Sequence, residues 1–497
     1  MQLLKKITIK HVLCLYIILC PILDILSFAF RNYFNTNISI STFLRPIIPV
    51  MVSIYIFIKA NKKNKCILGA TAGIYALYAF LHLFVARDFF TGCSYGGFTK
   101  ELQYIINFTF LIVNLINFYY AFIKNKWRKD ENVTNEQTNN LKLTNNIKVA
   151  ILIMCLIYMA SIYLAILTKT SSYTYKGEQI GYKGWIESGN SLSAILCLSI
   201  FVILDLIKDK KYRIWAVIAI ISTGIFLVAL IGTRTGLIGF FLGLAIFITL
   251  EVFFSKNKVA IIGFVIIAVG VIGIGLVGSN TLIRRKQMNE AMYTIIDEKT
   301  GEVGHMTGDM LRIKNKIIDG TLEEGYMSDA QKQAVLDLNE YAENVNLPGN
   351  ETRVQQLMYN IFLVKNQKSM LGIIFGNGYE TNFREMVMEN ELASLILNFG
   401  IIGFVLYAGP FVLILIKSII VILKKLKNKE KIKTGFLMNV AALGLAFVLS
   451  YLTGYIFFNS SVMIILAGIS VEILRVISEE KEKKILWNSG RIIKWKK

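Results

Sequence analysis

Apolar residues along this chain gather in long unbroken runs rather than alternating with polar ones. Crossing a hydrocarbon core about 30 Å thick takes roughly 20 mostly apolar residues. Twelve stretches meet that length: 9–30, 40–58, 66–86, 101–123, 149–168, 190–207, 214–233, 235–254, 259–280, 391–416, 434–457 and 459–477. They are about twice as long as a barrel strand requires, and lipid leaves no unpaired backbone group satisfied, so the pattern predicts an all-α integral membrane protein: a polytopic bundle of about twelve transmembrane helices. Two polar interruptions stand out. Residues 124–148 are rich in Asn and Thr and read as a solvated linker, and residues 281–390 form a connection far longer than the usual loop. Within it, Val354, Leu357, Met358, Ile361 and Phe362 fall at i, i+3, i+4, i+7 and i+8, which predicts an amphipathic helix on the membrane surface or capping the bundle. A polar helix is expected near 328–343. The predicted organisation is transmembrane helices 1–9 over 1–280, a large extracytoplasmic loop with the amphipathic helix over 281–390, helices 10–12 over 391–477, and a basic cytoplasmic tail over 478–497.

Composition agrees, with 55% hydrophobic residues and a mean hydropathy of +0.54 over 497 residues. The net charge of +21 would point to nucleic acid if it formed a patch on a soluble domain. Its distribution points to topology instead. With the N-terminus inside, the inner segments hold 34 of the 54 Lys and Arg residues, and 12 of the remainder sit in the long loop, where the positive-inside rule no longer applies. Both termini are therefore expected to be cytoplasmic and the long loop outside. The loop itself holds 16 of the 33 Asp and Glu residues. The first run contains Asp24 and lacks a small-residue cleavage site, so it reads as a retained helix rather than a cleaved leader.

Several chemistries are excluded or disfavoured. The six cysteines (14, 20, 66, 93, 155, 197) lie mostly within predicted helices and form no CxxC or Cys/His cluster, which indicates neither a disulfide framework nor a metal site. The run Gly273–Gly278 matches GxGxxG but lies inside a predicted span, where helix packing explains it better than dinucleotide binding. Gly239 and Gly243 form a GxxxG pair that lets helices approach closely. There is no P-loop and no DxD carboxylate pair, so ATP hydrolysis in cis is excluded and metal-dependent use of soluble nucleotide sugars is disfavoured.

Two polar sites remain. Arg234 lies in LIGTRTGLIGF at a turn so short that it barely leaves the membrane. An interfacial arginine can simply snorkel; alternatively, its guanidinium offers a bidentate, charge-assisted site for phosphate oxygens, and a lipid carrier would place a pyrophosphate at this depth. Glu389 and Glu391 stand at the outer end of the tenth run, where a carboxylate can favour the helix N-terminus or do chemistry. Asp24 reads as structural. His82 and His305 have no partners at ligand spacing, and His11 is at a membrane end.

The order of these features resembles the O-antigen polymerase and ligase superfamily of bacterial envelope glycosyltransferases. The resemblance rests on Thr233-Arg234-Thr235-Gly236, on Asn350-Glu351-Thr352-Arg353 ahead of the amphipathic helix, on Gly376-Asn377-Gly378 followed by Glu389-Asn390 and Gly400-Ile401-Ile402-Gly403, and on Asn190 opening the sixth helix; it covers roughly 180–410. Ligases of the family usually carry His-Asn where this chain has Glu389-Asn390, a departure that looks like the polymerase branch of capsule and cell-wall glycan systems. The resemblance implies transfer of an undecaprenyl-diphosphate-linked oligosaccharide onto an acceptor sugar hydroxyl, outside the cytoplasmic membrane of a bacterium. It implies no metal or cofactor, and a flippase and a chain-length regulator as partners beside the bilayer, with no nucleic acid. Glu389 is then the general base, and Arg234 and Arg353 stabilise charge on the pyrophosphate leaving group. A glutamate with an ordinary pKa of about 4.3 is a weak base at neutral pH, so the role asks for partial burial. Asn190, Tyr379, Arg384, Asn390, Arg284 and Arg285 are further candidate substrate contacts. Transfer of finished glycan by a ligase, and export of lipid-linked oligosaccharide by a flippase, are the alternatives. A transporter concentrates its charges at mid-membrane in broken helices, whereas here they cluster at the outer ends.

Overall fold

The computed structural model describes residues 8–488 except 35–39, 88–96, 125–135, 176, 178, 208–212, most of 255–278 and of 292–303, 350, 368 and 380–385. The chain runs through α1 (Ile9–Tyr33), α2 (Ile40–Lys59), α3 (Lys62–Ala86), α4 (Phe98–Phe122) and α5 (Glu136–Leu167). A hairpin of β1 (Ser172–Tyr175) and β2 (Ile180–Gly184) leads into α6 (Gly189–Ile207), and α7 (Arg213–Gly224) continues as a π-helical turn, Ile225–Ile231, before α8 (Arg234–Phe254). Then follow α9 (Asn280–Ala291), α10 (Gly308–Ile318), α11 (Asp329–Asn344), α12 (Thr352–Gln367) and α13 (Met370–Phe375). The last part comprises α14 (Glu391–Leu397), α15 (Gly400–Tyr407), α16 (Gly409–Lys427), α17 (Thr434–Leu452) and α18 (Ser460–Asn488).

Among the described residues nine helices are long and apolar enough to cross a membrane, and α15 with α16 makes a tenth, bent by 52°. The expected twelve are thus not all present in that form. The expected ninth run, 259–280, falls outside the described residues for nearly all of its length. The expected seventh, 214–233, is a shorter apolar segment, Ile218–Ile231, whose second half is π-helical. The expected tenth run, 391–416, is broken twice. Asn398 and Phe399 separate α14 from α15, and Gly409-Pro410 sets the bend, because proline cannot donate the hydrogen bond that would continue the helix. The span then continues to Lys427 rather than ending at 416.

α6 is apolar on all sides and almost wholly buried, as expected of a helix surrounded by others. It packs against α5, α7, α8, α17 and α18, while α4 packs along α18 and α1 along α5. The GxxxG pair of α8 does what small residues do between helices: a Cβ on Gly239 would stand 2.7 Å from Cys197 Sγ on α6 and 3.2 Å from Leu449 on α17. Between Phe254 and Gly400 no described helix meets the length and hydropathy of a span. There α10, α11 and α12 enclose a separate small core of Met306, Met310, Val335, Leu338, Tyr359 and Leu363. The helix expected near 328–343 is α11, started by Ser328, whose side chain accepts from Gln331 N while Gln331 reaches back to Ser328 N.

Candidate active site

The first turn of α6 is the hub. Ser193 Oγ lies 2.6 Å from Thr233 Oγ1, and Thr233 in turn caps α8 by accepting from Gly236 N at 3.0 Å. Arg234 therefore stands in the first turn of α8, partly buried, where the helix dipole adds to its positive charge. One turn earlier on α6, Asn190 neighbours the side chain of Tyr455.

α12 supplies the second element. Its buried residues are Gln355, Gln356, Tyr359, Asn360 and Leu363, whereas Ile361 of the predicted apolar stripe is 39% exposed. Val354, Met358 and Phe362 pack only partly against the small core. The polar face is buried because it clamps the chain ahead of α14: Gln356 Oε1 accepts from Glu389 N at 3.1 Å, and Asn360 Nδ2 donates to Met386 O at 3.2 Å. From the start of the same helix, Arg353 Nε donates to Glu389 Oε2 at 2.9 Å, and its terminal nitrogens donate to the carbonyls of Leu452 (2.9 Å) and Thr453 (3.5 Å). The two side chains expected to act on opposite ends of the reaction are thus in direct contact. Both stay about a third exposed, 32% for Arg353 and 37% for Glu389, so each retains a face for a substrate.

The turn between α17 and α18 closes the site. Glu391, 1% exposed, accepts the backbone N–H groups of Ile456, Phe457 and Phe458 at 2.9–3.0 Å. Glu391 is the more deeply buried of the two carboxylates and spends its oxygens on shaping the turn. Tyr455 takes φ +64°, a conformation few side chains adopt and one that concentrates at functional positions. Burial, reinforced by the charge of Glu389 against the opposing pull of Arg353, pushes its hydroxyl up to about 12, so it is a neutral donor at physiological pH. Gly454 has φ +73°, and a Cβ there would lie 2.1 Å from the Glu389 carbonyl oxygen. Gly454→Ala is accordingly expected to destabilise the protein by about 1–3 kcal/mol and to separate Glu389 from the turn. Its melting temperature in detergent checks this: a value equal to the wild type's would mean that the turn relaxes freely.

A buried polar chain holds the remaining loop. Glu101, in the first turn of α4, accepts from Tyr379 N at 3.0 Å and meets His82 Nε2 at 2.9 Å; His82 Nδ1 lies 2.6 Å from Phe375 O, and Tyr78 OH donates to Phe399 O at 2.6 Å. His82, for which the sequence offered no partner, is therefore a brace linking α3 and α4 to Gly376-Asn377-Gly378. That segment closes on the start of α15 through Gly378 N donating to Asn398 O, with no room for a side chain between Gly376 and Gly400.

The structure gathers Asn190, Arg353, Glu389 and Tyr455 around one turn and links Arg234 to them through α6. The other expected contacts have different surroundings. Asn390 Oδ1 caps α14 by accepting from Ala393 N, Tyr379 stacks on Tyr104 with centroids 4.3 Å apart, and Arg284 lies over the ring of Tyr175, 3.3 Å from its centroid. Arg384 and the side chain of Arg285 lie outside the described residues. Asp24, read as structural, pairs with Arg45. Sequence reasoning missed Tyr455, Glu101 and Arg45. Glu101 and Arg45 carried a usable signal, since ionisable residues within apolar runs ask for a named partner; Tyr455 carried none. Among the described residues no group of three or more His, Cys, Asp and Glu side chains is gathered as a metal would need.

A family model described as O-antigen ligase like membrane protein matches residues 6–480. No curated protein and no solved structure matches significantly.

Proposed function

The chain belongs to the O-antigen ligase like membrane protein family, a membership that carries a polysaccharide-related ligase or polymerase role in a multi-pass membrane protein, and from that premise we propose that it is a polymerase of surface polysaccharide. It transfers an undecaprenyl-diphosphate-linked oligosaccharide onto an acceptor sugar hydroxyl at the outer face of a bacterial cytoplasmic membrane. The acceptor oxygen attacks the anomeric carbon while the bond to the diphosphate breaks. The hydroxyl proton passes to Glu389, and the diphosphate leaves on its lipid with its new charge met by Arg234 and Arg353. The pyrophosphate linkage itself supplies the driving force.

The observation that carries this reading is the partly exposed Arg353–Glu389 pair beside Tyr455 and Asn190. The guanidinium orients the carboxylate, and a diphosphate arriving at the exposed face gives Arg353 a second anion. Sidedness is supported by charge placement. Lys424, Lys425 and Lys427 close α16 and Lys425 pairs with Glu480, whereas the 453–459 turn lies at the opposite ends of α17 and α18. That leaves the candidate site on the face away from the lysines, which the positive-inside rule assigns to the exterior.

The test is the length and sidedness of the lipid-linked glycans that accumulate when the protein is removed from its native cell. Single repeats exposed outside are expected. Long chains left on the lipid would make it a ligase, and repeats trapped inside would make it a transporter and remove the catalytic assignments.

A further inference from the structure

A polar cavity of about 270 Å³ lies among α1, α2, α4, α5, α6 and the start of α18. Four ionisable groups line it, which is costly among membrane helices and marks such places as functional. They are matched in pairs: Arg45 with Asp24 at 2.5 Å, and Arg31 with Glu187 at 3.0 Å. The described walls therefore carry no excess positive charge to recruit a diphosphate. What they offer instead is amides and hydroxyls beside aromatic rings. Asn107 and Asn459 line the same space as Phe108 and Phe458, whose rings meet edge-to-face with centroids 4.9 Å apart.

Two buried atoms of the wall are unmatched among the described residues. Asn114, 1% exposed, has an acceptor, Oδ1, without a hydrogen-bond partner, and Arg45, 8% exposed, has a donor, Nε, without one. Buried polar groups are ordinarily satisfied. Both atoms are shut off from the cavity by surrounding protein; recognition therefore falls to the accessible amides and hydroxyls of the wall, which donate and accept as a sugar hydroxyl does. The volume, near the lower end of the roughly 300–1,000 Å³ typical of small-ligand pockets, suits a small unit rather than a stretch of polymer. The cavity also adjoins the candidate active site: Asn459 Nδ2 donates to Ser191 Oγ at 2.9 Å, and the adjacent Asn190 neighbours Tyr455.

We infer that this cavity is a carbohydrate subsite, seating a neutral sugar unit of the substrate while the reacting end lies at Glu389. The inference rests on the proposed glycan substrate. Its test uses the full-length protein in nanodiscs and two probes: the oligosaccharide released by mild acid from the native cell's lipid-linked glycan, and inorganic pyrophosphate. Asn114→Leu keeps volume and removes the amide, and Asn107→Phe fills the cavity without breaking an ion pair. Both are expected to weaken oligosaccharide binding about tenfold or more and to leave pyrophosphate binding unchanged, with the melting temperature of Asn114→Leu no lower than the wild type's. Arg234→Ala is expected to show the reverse selectivity. Wild-type oligosaccharide affinity in both cavity variants, loss of pyrophosphate instead of sugar, or no oligosaccharide binding by the wild-type chain would each overturn the subsite. If Glu389→Gln leaves glycan extension intact while the cavity variants lose the sugar, the subsite stands and the catalytic reading fails.

Discussion

Glu389→Gln is expected to lower glycan transfer by about 10²–10⁴-fold, the usual contribution of a positioned general base, with little change in stability. The substitution keeps size and an oxygen able to accept from Arg353 Nε, and the backbone bond from Glu389 to Gln356 is untouched. What it removes is the capacity to take the acceptor's proton. The measurement is transfer by purified protein supplied with lipid-linked repeats, read beside a melting curve. Transfer within a few-fold of wild type at unchanged stability would move the base elsewhere, and a large fall in melting temperature would make the carboxylate structural.

The second large effect is expected from Arg353→Ala. Three donor contacts disappear together: one to Glu389 and two to the carbonyls that end α17. The carboxylate loses its cation and the turn loses a tether to α12. A loss of about 10²–10³ in transfer is expected, the range seen when one donor to developing negative charge is removed. Arg353→Lys should recover only part of it, because an ammonium restores the charge without the planar fork that spans carboxylate and carbonyls. The double variant with Glu389→Gln separates the two roles, since residues acting as one unit do not add. A double variant slower than Glu389→Gln alone is the expected result, reporting an independent contact of Arg353 with the leaving group. Equal rates would reduce Arg353 to a residue that positions Glu389.

Much of this molecule was legible because the bilayer imposes a one-dimensional rule. Nine of the expected runs reappear as spanning helices close to their expected limits, as the hydrogen-bond demand of lipid requires. The polar helix expected near 328–343 reappears as α11, started by a local cap of Ser328 and Gln331 that depends on nothing distant. Elsewhere tertiary context overrode the local pattern. The stripe on α12 predicted its apolar side as the buried one, yet Gln355, Gln356 and Asn360 are enclosed beside Tyr359 and Leu363, because Gln356 and Asn360 satisfy the backbone of 386–389 and Gln355 that of Thr307 and Gly349. The run 391–416 looked continuous because hydropathy registers composition and not the dihedral angle of Gly400 or the bend at Gly409-Pro410.

The sequence by itself determined that the chain spans a membrane many times, which family its motifs resemble, and that Arg234, Arg353, Glu389 and Asn190 were the residues to watch. Only the tertiary structure decided that Arg353 holds Glu389, that Glu391 is consumed in shaping the turn, and that Tyr455 joins them to Asn190. The reason is physical. Hydropathy and caps are set by neighbours within a few residues, whereas these contacts bridge positions 36 to 100 residues apart or more, and only the packing of α6, α12 and α17 brings them together.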